Sequence, residues 1–298
     1  MSRIDSASTA LSPMRPSRET REGEGADRRT SPRRASLVNN RLATNSISLT
    51  LLIVFIAGWQ LVLTGFSVSS LLVPKPSEIY SRVIDGFKPG PASYYGDLRT
   101  TLIEVFLGFV IAVFVGGLVG MFLAQWPLLE KISYPYMFAF QVVPKIAIAP
   151  LIVLWAGFGA KAMVTVTVVT AFWSMMVSSL AGFKSVPLDE TNMFAGLCAT
   201  RTQTFFKLKI PAAMPMILSG IDLALSYALH GAILAEFVGG QMGLGVRIET
   251  YNTNVDVSGE FAVIIVLAVL GIIFQTLVNM ARKKLLFWTA SEIARTAN

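Results

Sequence analysis

The groups in this chain that could do chemistry are few. Lys145, Asp222, His230 and Glu236 stand within or at the ends of long apolar stretches, and the amide of Gln141 lies four residues before Lys145. An ionisable group among apolar neighbours is costly unless it is paired, wet or lining a polar path, so such groups are functional candidates by default. Pro144 and Pro150 flank Lys145 and break the backbone ladder there, which is tolerated where the break is buried in protein or lines a cavity. Asp222 and His230 are eight residues apart, roughly two helical turns, and share a face approximately. Two readings stand side by side. Either Lys145, Asp222 and His230 line a solute path, or they pack, pair or snorkel. Glu236, close to the end of its apolar run, also suits headgroup water.

Other chemistry is excluded. The chain has one His, His230, and one Cys, Cys198. A disulfide framework, a Cys-x-x-Cys redox site and a metal cage of several His or Cys are therefore ruled out, and no metal site is expected. An intramembrane serine protease would depend on His230 and a Gly-flanked Ser, and no Ser stands out. Gly157-Phe-Gly-Ala-Lys161 has neither the spacing nor the hydroxyl residue of a phosphate-binding loop, so no nucleotide hydrolysis of that kind belongs to this chain.

The elements that carry these residues are membrane spans. Of 298 residues, 53% are hydrophobic and 14% charged, with a mean hydropathy of +0.60; globular chains carry about 25% charged residues. Six apolar segments, at about 46–66, 98–124, 134–157, 161–183, 211–239 and 260–281, are each close to the length of roughly 20 residues that crosses a bilayer as a helix. None alternates as a barrel strand would. The expected fold is an all-α membrane protein of six transmembrane helices. The second segment carries Gly108, Ala112, Gly116 and Gly120 at four-residue spacing, a small-residue face for close helix packing.

Charge sets the expected orientation. Nine of the 25 Lys and Arg lie in residues 1–45. With that tail inside, the inner segments carry 18 basic residues and the outer ones six, with Lys145 in a span, which places both termini in the cytoplasm. The net charge of +7 therefore reads as topology. No basic stripe interleaved with aromatics points to nucleic acid. Residues 1–45 read as a disordered Arg-rich cytoplasmic tail rather than a secretory signal, 46–285 as the membrane domain, and 286–298 as a cytoplasmic C-terminal tail.

Two connections are long. Residues 67–97 read as an external loop with a short amphipathic helix near 76–87. Residues 184–210 form the long internal loop. There Pro187, Asp189 and Glu190 suit a helix start, and Met193, Phe194 and Leu197 supply an apolar edge. That edge would lie on lipid headgroups or plug a partner's groove.

Residues 192–215, Asn-Met-Phe-Ala-Gly-Leu-Cys-Ala-Thr-Arg-Thr-Gln-Thr-Phe-Phe-Lys-Leu-Lys-Ile-Pro-Ala-Ala-Met-Pro, resemble the cytoplasmic loop of bacterial ABC-importer permeases, with its pattern Glu-Ala-Ala-x-x-x-Gly-x9-Ile-x-Leu-Pro. Anchoring on Pro211 puts the pattern's Gly at Cys198 and its Glu at Asn192, with Glu190 two residues upstream. Met193 and Phe194 replace the paired Ala. Cys at the Gly position would be strained by about 1 kcal/mol if the turn needs positive φ. Val143-Pro-Lys-Ile-Ala-Ile-Ala-Pro-Leu-Ile-Val-Leu-Trp-Ala-Gly-Phe-Gly159, Ala235-Glu236, Gly243-Leu-Gly245 and Val73-Pro-Lys-Pro-Ser-Glu78 are similar to the nitrate/sulfonate/taurine branch. The resemblance covers about residues 46–285.

It implies a type I importer permease in the bacterial inner membrane. Two permease chains, expected as a homodimer, would form the path, and two ATPase subunits carrying ATP and Mg would sit below it. A periplasmic or lipid-anchored binding protein would deliver the solute. The coupling helix would span about 188–199, with Glu190, Asn192, Met193, Phe194, Ala195, Gly196, Leu197, Cys198, Ala199 and Pro211 as its residues. Gln141, Lys145, Asp222, His230 and Glu236 would be candidates for the path. No cofactor is expected on this chain itself. The branch handles nitrate, organosulfonates, bicarbonate and pyrimidine precursors, so a small polar or anionic solute is implied. The alternative is a self-contained channel or secondary transporter using Lys145, Asp222 and His230, although the two halves show no internal repeat.

Overall fold

The structure, a computed structural model, describes residues 41–66, 69–90 and 93–285, without the side chains of 41–46, 145 and 146. Residues 1–40 of the expected tail, and the expected C-terminal segment 286–298, lie outside the described residues.

The described residues are helical, with no strand among them. The chain runs through α1 (Arg41–Gly65), α2 (Pro76–Gly86), α3 (Tyr94–Gln125), α4 (Pro127–Val142), α5 (Lys145–Ala156) and α6 (Ala160–Lys184). It continues through α7 (Leu188–Gly196), α8 (Arg201–Thr204), a π-helical turn (Phe205–Lys209), α9 (Ile210–Gly239), α10 (Leu244–Thr253) and α11 (Val257–Leu285). Five stretches are long and apolar enough to cross a membrane: Ile47–Gly65, Tyr94–Gln125, Ala160–Lys184, Arg201–Gly239 and Val257–Leu285. The third expected span, 134–157, is not one straight helix. Pro127–Val142 and Ala147–Ala156 meet at 102°, and together they make the sixth crossing if the bent pair spans. The break has a local cause. Pro144 offers no N–H to the ladder, and the residue before it, Val143, is held extended at ψ 126°.

The core is a three-helix stack of α3, α6 and α9. Val105 and Ala112 of α3 meet Ala171 and Met175 of α6 and Ala224, Ala228 and Ala232 of α9, all buried. Small residues let the backbones approach. A β-carbon at Gly116 would sit 2.8 Å from the Phe172 carbonyl and 3.3 Å from the Met176 nitrogen, both backbone atoms of α6. Gly108 and Gly120 face α6 as well, so the four-residue stripe with Ala112 is the contact line. In lipid there is no hydrophobic drive between helices, and close packing with interhelical hydrogen bonds takes its place. The Ser179 hydroxyl donates to the Gly117 carbonyl at 2.8 Å, and the Thr170 hydroxyl to the Tyr227 carbonyl at 3.2 Å.

The outward faces remain apolar. Phe55, Phe106, Phe114, Leu154, Trp155 and Ile272 are all exposed. Such surface is unsuited to water and natural against acyl chains.

Candidate functional site

Three places bear on function: the α7 loop, a cleft between α4, α6 and α9, and a buried polar knot at the opposite end of the stack from α7.

At the first, α7 runs over Leu188–Gly196 with Asp189 and Glu190 in its opening turn and none of its residues buried. It is shorter than the expected 188–199, and the reason is visible at Cys198. That residue takes φ +56°, the left-handed region. The Ala199 N–H donates to the Phe194 carbonyl and the Cys198 N–H to the Ala195 carbonyl, both at 3.0 Å. This is a Schellman stop, in which the left-handed position usually belongs to Gly. The strained Cys anticipated from the sequence pattern is therefore present. Met193 and Leu197 are exposed at 56% and 73%, and Leu188 at 78%, whereas Phe194 is half-buried. Asn192, Ala195 and Gly196 are exposed, and Glu190 with them. Pro211 follows the π turn inside the continuous helical stretch Arg201–Gly239, where it offers no N–H to the ladder.

At the second place, a cleft of about 280 Å³ is lined by Gln141, Trp173, Ser174, Ser178, Leu223 and Tyr227, with Val177. Phe140 stacks on Trp173 at 4.8 Å and ties the end of α4 to α6. The lining has amide and hydroxyl groups and two aromatic rings, and no charge. Of the path candidates, Gln141 lies here. His230 is exposed on the same side of α9 as Tyr227, and its Nδ1 lies 2.6 Å from the Ser226 carbonyl. Asp222 is elsewhere. Its carboxylate accepts from Arg282 at 3.0 Å and Gln275 at 3.3 Å, both on α11. Eight residues at 100° each leave Asp222 and His230 about 80° apart around α9, enough to send one toward α11 and the other to the open face. Lys145 begins α5, and its side chain lies outside the described residues.

At the third place Glu236 is 1% exposed. That burial sets it apart from a hydrated helix end. Its carboxylate accepts from the Thr101 hydroxyl and from the Gly245 N–H, each at 2.7 Å. Thr101 in turn accepts from the Leu244 N–H at 2.9 Å. Asp97 accepts from the Gly243 N–H at 3.2 Å and from the Arg247 guanidinium at 2.8 and 2.6 Å. The carboxyl of Glu104, 3% exposed, lies against that of Glu236. Two charged groups and two hydroxyl or carboxyl acceptors thus clamp the α9–α10 turn onto the start of α3. Gly243, at φ +133°, leaves no room for a side chain over the Glu236 carboxyl. Sequence reasoning saw Glu236 and the Gly-Leu-Gly turn but missed Asp97, Thr101 and Arg247. Their partners lie more than a hundred residues away along the chain, and no spacing rule connects them. Ser174 and Ser178, four apart on α6, were a readable signal for the cleft.

The geometry is that of a helical bundle with a protruding short helix, a neutral cleft and one locked end. Over residues 108–286 the chain matches the family described as binding-protein-dependent transport system inner membrane component. The chain belongs to that family. Among its relatives is the formylaminopyrimidine transport permease protein ThiX of Halalkalibacterium halodurans, 31% identical over 73% of this chain and 86% of that one. The riboflavin transport system permease protein RibX of Chloroflexus aurantiacus is 27% identical over 88% and 97%. The taurine transport system permease protein TauC of Escherichia coli is 25% identical over 82% and 90%. In fold, the permease matches an inward-facing MetNI methionine ABC transporter chain with a TM-score of 0.51 and 18% identity, over 72% of this chain and 98% of that one. It is therefore an inner-membrane ABC importer permease subunit of the type I fold, a transport component rather than an enzyme.

Proposed function

We propose that this permease forms half of a solute path whose cleft is completed by a second copy, and that α7 docks into a separate ATPase that supplies ATP hydrolysis. Both termini face the cytoplasm in this reading, the α7 end is the cytoplasmic end, and a binding protein loads the path from the α10 end. Residues 1–45 and 286–298 are then cytoplasmic tails flanking the membrane domain.

The observation that carries the reading is the exposure of Met193 and Leu197, four residues apart on one face at the end of a short helix with no buried residue. Exposed apolar side chains at that spacing on a rigid helix are suited to a partner's groove, where packing transmits a push that solvated charges would not. The Schellman stop supports the same reading, because it holds the helix end in one geometry.

The solute is a small polar or anionic molecule, of a kind with those named for the relatives: a substituted pyrimidine, a flavin or taurine. The cleft's Gln141, Ser174, Ser178 and Tyr227 offer neutral hydrogen-bonding groups, which hold a passing anion or polar solute weakly enough to release it. Met193→Asp and Leu197→Asp test the docking. The expected result is a permease that inserts normally and no longer co-purifies with its ATPase. Unchanged ATPase recovery with both variants would sink the docking and favour a self-contained path.

A further inference from the structure

A cavity of about 430 Å³ lies behind α7, between it, the last turn of α3 and the α8–π-turn segment. Its polar lining is Gln125, Thr191, Arg201, Thr204 and Lys209, with Phe205 beside them. Two cations face it and no carboxylate does. Among the described residues no carboxylate lies within ion-pair distance of Arg201 or Lys209. Two positive charges converging on one space without a counter-charge call for an anion.

The backbone is built to bring them together. Arg201 and Lys209 are eight residues apart on one continuous helical stretch, Arg201–Gly239. In a plain α-helix they would diverge by about 80°. The π turn over Phe205–Lys209, closed by the Ile210 N–H donating to the Phe205 carbonyl, takes up about one residue of helical phase and returns the pair to nearly one face. Such turns are rare and are frequently found at functional sites.

The cavity's position says which anion. It opens where the apolar run of α3 ends, at Ala124 and Gln125. The next residue, Trp126, is half exposed and stacks on Phe122 at 5.8 Å. Across the cavity Phe205 stacks on Phe183 at 5.9 Å, and its neighbour Phe206 is exposed. An exposed Trp at the end of an apolar run marks the level of the lipid headgroups, and basic pockets between spans at that level take acidic headgroups. We propose that Arg201 and Lys209 bind the phosphate of an anionic phospholipid headgroup, with Gln125 donating to it and Thr191 of α7 forming the adjoining wall. A bound headgroup would brace α7 from behind. The site does not depend on what α7 docks with.

The test uses the full-length permease in mild detergent, incubated with phosphatidylglycerol or with phosphatidylcholine of the same acyl chains and examined by native mass spectrometry. The wild type is expected to keep one phosphatidylglycerol per chain in preference to phosphatidylcholine. Arg201→Gln with Lys209→Gln should lower that retention at least tenfold, while Arg201→Lys with Lys209→Arg restores it and shows that the fold tolerates change there. Equal retention of the two lipids, or undiminished phosphatidylglycerol on the neutralised chain, overturns the proposal. Displacement of the lipid by millimolar glycerol phosphate overturns the lipid as the source of the phosphate.

Discussion

Glu236 offers the sharpest test of how this bundle is held. Its carboxylate is the common acceptor for the Thr101 hydroxyl and the Gly245 N–H, both at 2.7 Å, inside a site where Glu236 is 1% exposed. Glu236→Ala leaves two donors buried without an acceptor. Each such orphan costs about 1–3 kcal/mol, so the variant should lose about 2–6 kcal/mol. Glu236→Gln keeps one acceptor oxygen and turns an amide toward the other donor, which places its cost at about 1–3 kcal/mol. The Thr101 hydroxyl also accepts from the Leu244 N–H at 2.9 Å, so the two side chains act together on the α9–α10 turn. Thr101→Val and Glu236→Ala should therefore be less than additive by about 0.5–3 kcal/mol. The assay is thermal unfolding of the purified chain in detergent, followed by the five tryptophans. At about 2 °C per kcal/mol for a chain of this size, Glu236→Ala should melt roughly 4–12 °C lower. A midpoint within about 1 °C of wild type, or strict additivity with Thr101→Val, would refute the claim that this carboxylate clamps the end of the bundle.

Three further predictions concern close contacts and strain. Gly120→Ala places a β-carbon 2.7 Å from that of Ser179 and 2.9 Å from the backbone nitrogen of Leu180. The α6 backbone must then move, at a cost of about 1–3 kcal/mol, readable as a lowered melting midpoint. Gly58→Ala, with nothing within 4 Å, should leave the midpoint unchanged or raise it, because a helix-interior Gly costs about 0.5–1 kcal/mol. Cys198→Gly relieves the left-handed backbone by up to about 1 kcal/mol, and Cys198→Val adds a β-branched side chain where it fits worst. Limited tryptic cleavage at Arg201 should slow for the first and quicken for the second; identical rates for the two would mean that the turn is not strained.

Much of the architecture was legible in the residues. The apolar runs placed the long helices, since a segment surrounded by lipid must satisfy its own backbone. The short helix expected near 76–87 is α2, and Pro187 with two acids behind it placed the start of α7. The Gly108–Gly120 stripe marked the contact line of α3 because small residues at four-residue spacing share a face. The pattern of the loop raised the question of positive φ at Cys198, and the structure answers it with φ +56°.

The side-chain partners were not legible. Nothing local says that Asp222 turns to Arg282 on α11 while His230 faces open space, because that depends on how α9 is rotated against its neighbours. The 102° bend after α4 was foreshadowed by Pro144, but its angle belongs to the packing of α5 against α6 and α9. The packing decided the surroundings of Glu236. A carboxylate at the end of an apolar run reads equally as a path residue or a hydrated end, until Thr101 and Gly245 close over it. Periodicity and composition act along the chain, over one or two turns, and so the sequence determined the helices, their lengths and the loop that stands clear. Hydrogen bonds between groups more than a hundred residues apart exist only once the helices are packed, and the tertiary structure alone decided which polar groups are locked away and which still face a space.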